Sequence, residues 1–266
     1  MLKRKLEVRD VTVSFEGKTV IEDISVDLYE KEIVSILWTS GVGKTTLFNV
    51  IAGLIVPDGG KVSLNAEDIT GKSGKISYML QKDLLFPFKK IIDNVSLPLI
   101  LKGKGKKKAR EEAGKYFSQF GLEGMENKYP KDLSGGMRQR AAFLRTYLFS
   151  NEIALLDEPF SALDAITKHK MQTWYLKIVK KLGISILFIT HDIEEAILIS
   201  DRIYIISGSP GKIVKEIEVN INKGISAEEV SMSKEFLAHK REIMEFLNCS
   251  GIKKSKDYKE NNIADL

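Results

Sequence analysis

Cysteine is almost missing from these 266 residues. Cys249 stands alone, which excludes an internal disulfide and fits a reducing compartment. Long apolar runs are missing too. A membrane helix needs roughly 20 consecutive apolar residues, and the longest runs here, such as Ile184 to Ile189, are strand-sized. The opening Met1-Leu-Lys-Arg-Lys-Leu6 passes straight into alternating sequence and lacks the apolar stretch of a signal peptide. The expected location is therefore the cytosol, or the cytoplasmic face of a membrane protein. A strong charge bias is also lacking. The 41 basic and 36 acidic residues leave only +5, too mild an excess to point to nucleic acid. Much of it sits in Lys102 to Lys108, read as a solvated, flexible loop, with a membrane-surface role as the alternative. No internal repeat or sustained heptad pattern is present, which excludes a long coiled coil.

What is present is globular. Hydrophobic residues at 43% and charged residues at 29% suffice for a sizeable core at this length. Leu6 and Val8, then Val11, Val13 and Phe15, then Ile24, Val26 and Leu28 alternate with polar residues. That pattern, with Gly17 between runs, predicts antiparallel strands and a bulge near Asp10. Ile33 to Leu37, Ile153 to Leu156, Ile184 to Thr190 and Arg202 to Ile206 are nearly continuous in apolar character, as expected of strands buried on both faces of a parallel sheet. Helical stripes lie between them: Met171, Trp174, Ile178 and Leu182 form one, and Ile193, Ala196 and Ile197 another. The fold class is α/β.

Residues 88–148 break that alternation. Ala113, Tyr116, Phe117 and Phe120 recur at helical spacing, so this stretch is read as an inserted helical subdomain. A strand at Ile213 to Val219 and an amphipathic helix carrying Phe236, Ile243 and Leu247 should follow, with a frayed polar end past about residue 250. The division expected is a main domain over 1–220 and a C-terminal helix and tail over 221–266.

Chemistry enters at Trp38-Thr-Ser-Gly-Val-Gly-Lys-Thr-Thr46, between a buried strand and a helix beginning near Thr45. This is the context of a phosphate-binding loop. Gly41 and Gly43 let backbone N–H groups converge on phosphate, and the helix start adds its positive dipole end. Thr39, Ser40 and Val42 complete the loop. Lys44 would reach the β- and γ-phosphates, Thr45 would ligate Mg²⁺, and Thr46 would support the α-phosphate side. The motif wants glycine at position 38. If the backbone there needs positive φ, Trp38 costs about 1–3 kcal/mol and weakens nucleotide binding; a turn without ligand is the plain alternative.

Ile153-Ala-Leu-Leu-Asp-Glu158 ends an apolar strand in two carboxylates, at the edge where open α/β sheets bind ligands. Asp157 would hold Mg²⁺ through water and Glu158 would polarise the attacking water; a helix cap is the alternative for such a pair alone. Leu133-Ser-Gly-Gly-Met-Arg-Gln-Arg140 opens a helix through Ala141, Leu144 and Leu148. Its start at Ser134, Gly135 and Gly136 offers a second set of backbone donors.

With these motifs in order, the chain resembles the ATP-binding subunits of ABC transporters over roughly residues 5 to 220. The matching series is the phosphate loop, Gln81 after a strand, Leu133-Ser-Gly-Gly136, Asp157-Glu158, Ser161-Ala-Leu-Asp164, and His191 after a strand. The resemblance implies a P-loop ATPase core with an N-terminal antiparallel β-subdomain and an inserted helical subdomain. It implies that Phe15 stacks on adenine, Gln81 touches Mg²⁺ and the attacking water, Asp164 lies in a loop crossing a dimer interface, and His191 contacts the γ-phosphate.

ATP and Mg²⁺ are the implied substrate and cofactor. Implied partners are an identical or homologous ATPase subunit packed head to tail, with Ser134 to Gly136 acting in trans, a membrane permease and, indirectly, a solute-binding protein. Met137, Leu84-Leu-Phe-Pro-Phe88 and Ser209-Pro-Gly-Lys212 look like the importers of nitrate, taurine, sulfonates, bicarbonate or thiamine precursors. The rival readings are an ABC ATPase of DNA repair or the ribosome, and a nucleotide-binding module weakened by Trp38. The sequence does not name the cargo.

Overall fold

A computed structural model describes the backbone of residues 3–38, 43–221 and 227–260. The N-terminal alternation becomes a hairpin of β1 (Arg4–Phe15) and β2 (Lys18–Tyr29), closed at Phe15↔Lys18. Glu16 and Gly17 turn it with φ of 52° and 75°, the doubly positive conformation that suits a two-residue hairpin. The bulge falls where alternation slips: Asp10 has φ 51° and the β1–β2 register shifts between Val8 and Val11. Ser25 Oγ accepts from Asp10 N at 2.9 Å and donates to the Asp10 carboxylate at 3.0 Å, which satisfies the bulged backbone.

The chain continues through β3 (Ile33–Trp38), α1 (Lys44–Ile51), β4 (Gly59–Leu64), β5 (Glu67–Asp68) and β6 (Ser77–Met79). Three helices follow, α2 (Ile91–Leu101), α3 (Lys106–Gly114) and α4 (Gly135–Phe149). Next come β7 (Ile153–Asp157), α5 (Ala165–Leu182), β8 (Ser185–Thr190), α6 (Ile193–Ile199), β9 (Arg202–Ser207) and β10 (Lys212–Glu218). The short α7 (Ala227–Ser231) and α8 (Lys234–Glu260) end the described chain. One sheet has order β2-β1-β4-β5 and is antiparallel. The other has order β10-β9-β3-β8-β7-β6 and is parallel except at β10.

The continuous apolar strands divide their side chains between two cores. Val34, Ile36 and Trp38 of β3, with Leu187 and Ile189 of β8, pack with α1 and the antiparallel sheet. Ile33 and Leu37, with Ile186 and Phe188, face the core shared with α2, α4, α5 and α6. Successive strand residues point to opposite faces, so a sheet covered on both sides needs apolar residues at nearly every position.

Between β6 and β7 the chain is helical, as expected, with one difference. The stripe from Ala113 to Phe120 does not form one helix: α3 ends at Gly114, and the backbone tightens to i→i−3 bonds from Lys115, Tyr116 and Phe117. Glycine at the helix end lowers helical propensity, while Phe117 and Phe120 stay buried, so the tertiary core holds the stripe without the helix. Lys102 to Lys108 are exposed, but Lys106 onward belongs to α3. The tail expected to fray past residue 250 remains helical to Glu260, continuing a helix anchored by buried Phe236 and Ile243.

Candidate functional site

Parallel strands bring their carboxyl ends to one edge, and the register there is fixed: Leu37 pairs with Thr190, and Asp157 with Ile189. The loop after β3, the Asp157-Glu158 step after β7 and His191 after β8 therefore leave the sheet side by side. Thr39, Ser40, Gly41 and Val42 lie outside the described residues. Gly43 is the N-cap of α1 with φ 99°, a conformation open to glycine. Lys44, Thr45 and Thr46 form the first turn of α1, whose free N–H groups favour an anion.

Trp38 corrects the sequence reading. It is ordinary strand backbone, paired with Ile206 of β9, and positive φ is not among its features. The strain expected there is absent, and no loss of affinity follows from it. Its indole is 2% exposed and packs in the core; Gly43 and Gly211 both approach the ring. The buried side chain thus lies against Gly43, the N-cap of α1.

Glu158 is the centre of the site. Its carboxylate is ion-paired with Lys44 through Oε1, and Oε2 lies 3.2 Å from His191 Nδ1 and 3.4 Å from Gln81 Nε2. Gln81 Nε2 also donates to Ser161 Oγ at 3.2 Å, and Ser161 Oγ donates to the Glu158 carbonyl at 2.9 Å. The Glu158 backbone has φ 44°, a region that costs a non-glycine residue about 1–3 kcal/mol and occurs at functional sites. Its N–H is held by the Ile189 carbonyl at 3.0 Å. Burial pushes the Glu158 carboxyl up, but Lys44 and His191 outweigh that and hold it below the ordinary glutamate value. It is thus a carboxylate at neutral pH, as a group that polarises water requires.

Asp157 behaves oppositely. Burial and the adjacent Glu158 push its pKa up, against a smaller pull from Lys44, and Tyr78 Oη donates to its Oδ2 at 3.5 Å. Asp157 is 8% exposed, while Thr45 is exposed on α1. A carboxylate, a hydroxyl and the Gln81 amide are hard oxygen donors of the kind Mg²⁺ takes when phosphate oxygens and water fill its remaining positions. The donor set fits that ion.

Lys44, Gln81, Asp157, Glu158 and His191 are thus gathered at one place. Among the described residues, no hydrogen bond or ion pair joins them to Phe15, to Ser134–Gly136 or to Asp164. Phe15 ends β1 and is 47% exposed. Ser134 caps α4, its Oγ accepting from Met137 N at 3.3 Å. Gly136 packs against α5, where an added Cβ would meet Thr167 Cγ2 at 3.3 Å and Met171 Sδ at 3.5 Å. Asp164 caps α5, its Oδ1 accepting from Thr167 N at 3.0 Å.

Three further residues escaped sequence reasoning. Ser161 stood in a quoted motif without a role. Tyr78 gave no signal, because its bond to Asp157 exists only once β6 pairs with β7. Lys168 bridges Asp192 at 2.6 Å and the buried Glu195 at 3.0 Å, tying α5 to the turn that follows His191.

The ABC transporter family profile matches residues 21–161. The chain is 46% identical to the formylaminopyrimidine import ATP-binding protein ThiZ of Halalkalibacterium halodurans, over 82% of this chain and 86% of that one. It is 35% identical to the taurine import ATP-binding protein TauB of Yersinia pestis, over 90% and 95% of the two chains. Among solved structures it superposes on a dimeric ATP-binding cassette in a post-hydrolysis state bound to ADP and Pi. That match has a TM-score of 0.68 and 28% identity, covering 81% of this chain and 99% of the other. The fold is shared with cbiO1 of Clostridium perfringens, part of a transporter complex, at a TM-score of 0.73 over 88% and 92% of the two chains and 23% identity.

Proposed function

The chain belongs to the ABC transporter family as one of its ATP-binding, ATP-hydrolysing subunits, and from that premise we propose that it powers import of a small organic or anionic solute through a separate permease. The observation that carries this reading is the convergence of Lys44, Gln81 and His191 on the Glu158 carboxylate. In the reaction we assign, Lys44 and the α1 start hold the phosphates, and Thr45 and Asp157 hold Mg²⁺, which neutralises phosphate charge when bound. Glu158 accepts a hydrogen bond from the attacking water. Gln81 and His191 orient that water and the γ-phosphate. Phe15, exposed at the end of β1, offers its ring to adenine.

Two copies pack head to tail in this reading, with Ser134, Gly135 and Gly136 meeting the partner's nucleotide and Asp164 at the interface. The dimeric cassette with ADP and Pi supports that arrangement. ATP closes the dimer because it binds the closed state better, and hydrolysis reverses the preference. For the permease we assign the groove of about 350 Å³ lined by Leu54, Tyr78, Leu97, Leu101 and Arg145. Leu54 and Leu101 are 62% and 75% exposed there, as an apolar contact surface requires. No described helix is long and apolar enough to cross a membrane, so the place proposed for the chain is the cytoplasmic face of a membrane, held by the permease. The relatives named for import of formylaminopyrimidine and taurine support the importer reading and a cargo of that size.

The test is reconstitution of the chain in liposomes with a permease that binds it. Mg²⁺-dependent ATP hydrolysis should accompany uptake of a solute of the pyrimidine or sulfonate kind. Hydrolysis without uptake of any solute the permease binds would overturn the transport reading. No hydrolysis with Mg²⁺ present would overturn the site assignment.

A further inference from the structure

Two arginines on one face of α4 grip the segment that carries Gln81. Arg138 Nε lies 3.3 Å from Asp83 Oδ2. Arg145, seven residues on and two turns along the same face, donates to the Asp83 carbonyl at 2.6 Å and the Leu84 carbonyl at 2.8 Å. Asp83 Oδ1 also accepts from Leu85 N at 3.1 Å. Between these contacts Leu84 is held at φ 44°, a conformation that a leucine keeps only when its surroundings over-determine it. Charged hydrogen bonds from a rigid helix are the means of doing so.

The two ends of this clamp are the two half-sites. Gln81, two residues before Asp83, touches Glu158; Ser134, Gly135 and Gly136 stand two to four residues before Arg138, at the start of the same helix. Arg138 also donates to the Leu133 carbonyl at 3.1 Å, so it joins the approach to α4 to the Gln81 segment. Gln81, Asp83, Gly135 and Arg138 line one cavity of about 390 Å³. The helix start proposed to engage the partner's nucleotide is thereby fastened to the loop that reaches this chain's own Glu158.

We infer that Asp83, Arg138 and Arg145 are positioning residues, locking α4 and the Gln81 segment into one body so that movement of the Ser134–Gly136 end sets the place of the Gln81 amide at Glu158. This rests on the reading of Gln81 as a group that orients water for hydrolysis. It predicts that the arginines act through Gln81 and not on the nucleotide.

The experiment is a double-mutant cycle on the full chain. Arg138→Ala should lower kcat about tenfold, the scale of one lost hydrogen bond to a charged group, with KM for ATP changed less than about twofold. Arg138→Lys should recover part of the loss, and Asp83→Asn should reproduce it if Arg138→Ala proves poorly folded. In a Gln81→Ala background, Arg138→Ala or Asp83→Asn should cost less than about twofold further, because residues acting as a unit are non-additive. An equal loss in both backgrounds would overturn the clamp and leave the role of Gln81 standing. A Gln81→Ala chain with undiminished kcat would instead remove the premise, and the inference with it.

Discussion

The indole of Trp38 lies against Gly43, so closely that a Cβ added to the glycine would come 2.8 Å from the ring's Cζ2 and 3.0 Å from Ile21 Cγ2. Gly211 meets the same ring, its added Cβ falling 2.9 Å from Cζ2. The exit of the phosphate loop therefore rests on an aromatic floor that belongs to the core.

Trp38→Gly should consequently destabilise the chain by about 3–5 kcal/mol, the cost of deleting a buried tryptophan and leaving a cavity, and should not tighten ATP binding. Urea denaturation and isothermal titration of the variant measure the two quantities. A stable variant with higher ATP affinity would restore the strained-loop account that the strand geometry contradicts.

Glu158→Gln keeps the shape of the site and loses the carboxylate. Hydrolysis should fall at least a hundredfold, within the roughly 10²–10⁴ range of a positioned general base, while ATP still binds. Gel filtration with Mg-ATP should then show a dimer that the unmutated chain forms only weakly. Near-normal turnover would exclude Glu158 as the group that activates water.

The two adjacent carboxylates should pull stability in opposite directions with pH. Glu158 lies below its ordinary pKa because Lys44 and His191 overcome its burial, so its contribution is present above the unfolded value and is lost as pH falls through the folded one. Asp157 lies above its ordinary pKa because of burial and Glu158, so its contribution is present in acid and is lost as pH rises through the folded value. Asp157→Asn should therefore raise Tm near pH 7, by about 2–4 °C if ~1 kcal/mol is relieved, and abolish Mg²⁺-dependent hydrolysis. The gain should disappear in acid. Calorimetry at pH 7 and pH 4 checks it; a lower Tm at pH 7 would contradict the sign.

Lys168 faces both Asp192 and the buried Glu195. Lys168→Met would leave Glu195 buried without that cation, at a cost of up to about 3 kcal/mol. Burial already pushes Glu195 up, so the loss should be larger at pH 8 than at pH 5, where protonation relieves it. Adding Glu195→Gln should recover most of the stability. Equal losses at both pH values would show that Lys168 acts by packing alone.

How much of this was readable beforehand depended on distance along the chain. The Asp10 bulge was legible because alternation slips there, and the buried strands because polar residues are nearly missing from them. Lys44, Asp157, Glu158 and Ser134 were legible as local patterns of strand, loop and helix. Trp38 was misread because the motif supplies a residue type while the backbone supplies the conformation; only the pairing with Ile206 shows that position 38 is still strand. The bond from Tyr78 to Asp157, the bridge from Lys168 and the grip of Arg145 on Asp83 join residues 24 to 79 positions apart. No periodicity reports such contacts. The helix expected through Phe120 failed for a related reason, since burial of Phe117 and Phe120 by the core does not require helical backbone.

The common register of β3, β7 and β8 makes strand length a gauge for the site. The three strands run in hydrogen-bonded step and end along one edge at Trp38, Asp157 and Thr190, so the chain leaves each of them beside Lys44, Glu158 and His191. Removing one residue from β7 would draw Asp157 and Glu158 back by about 3.3 Å and turn every side chain beyond the cut to the other core. Loops between these strands can lengthen or shorten at small cost. The strands themselves cannot change by a single residue without moving a wall of the site, so variation in this chain is free in its connections and closed in its measure.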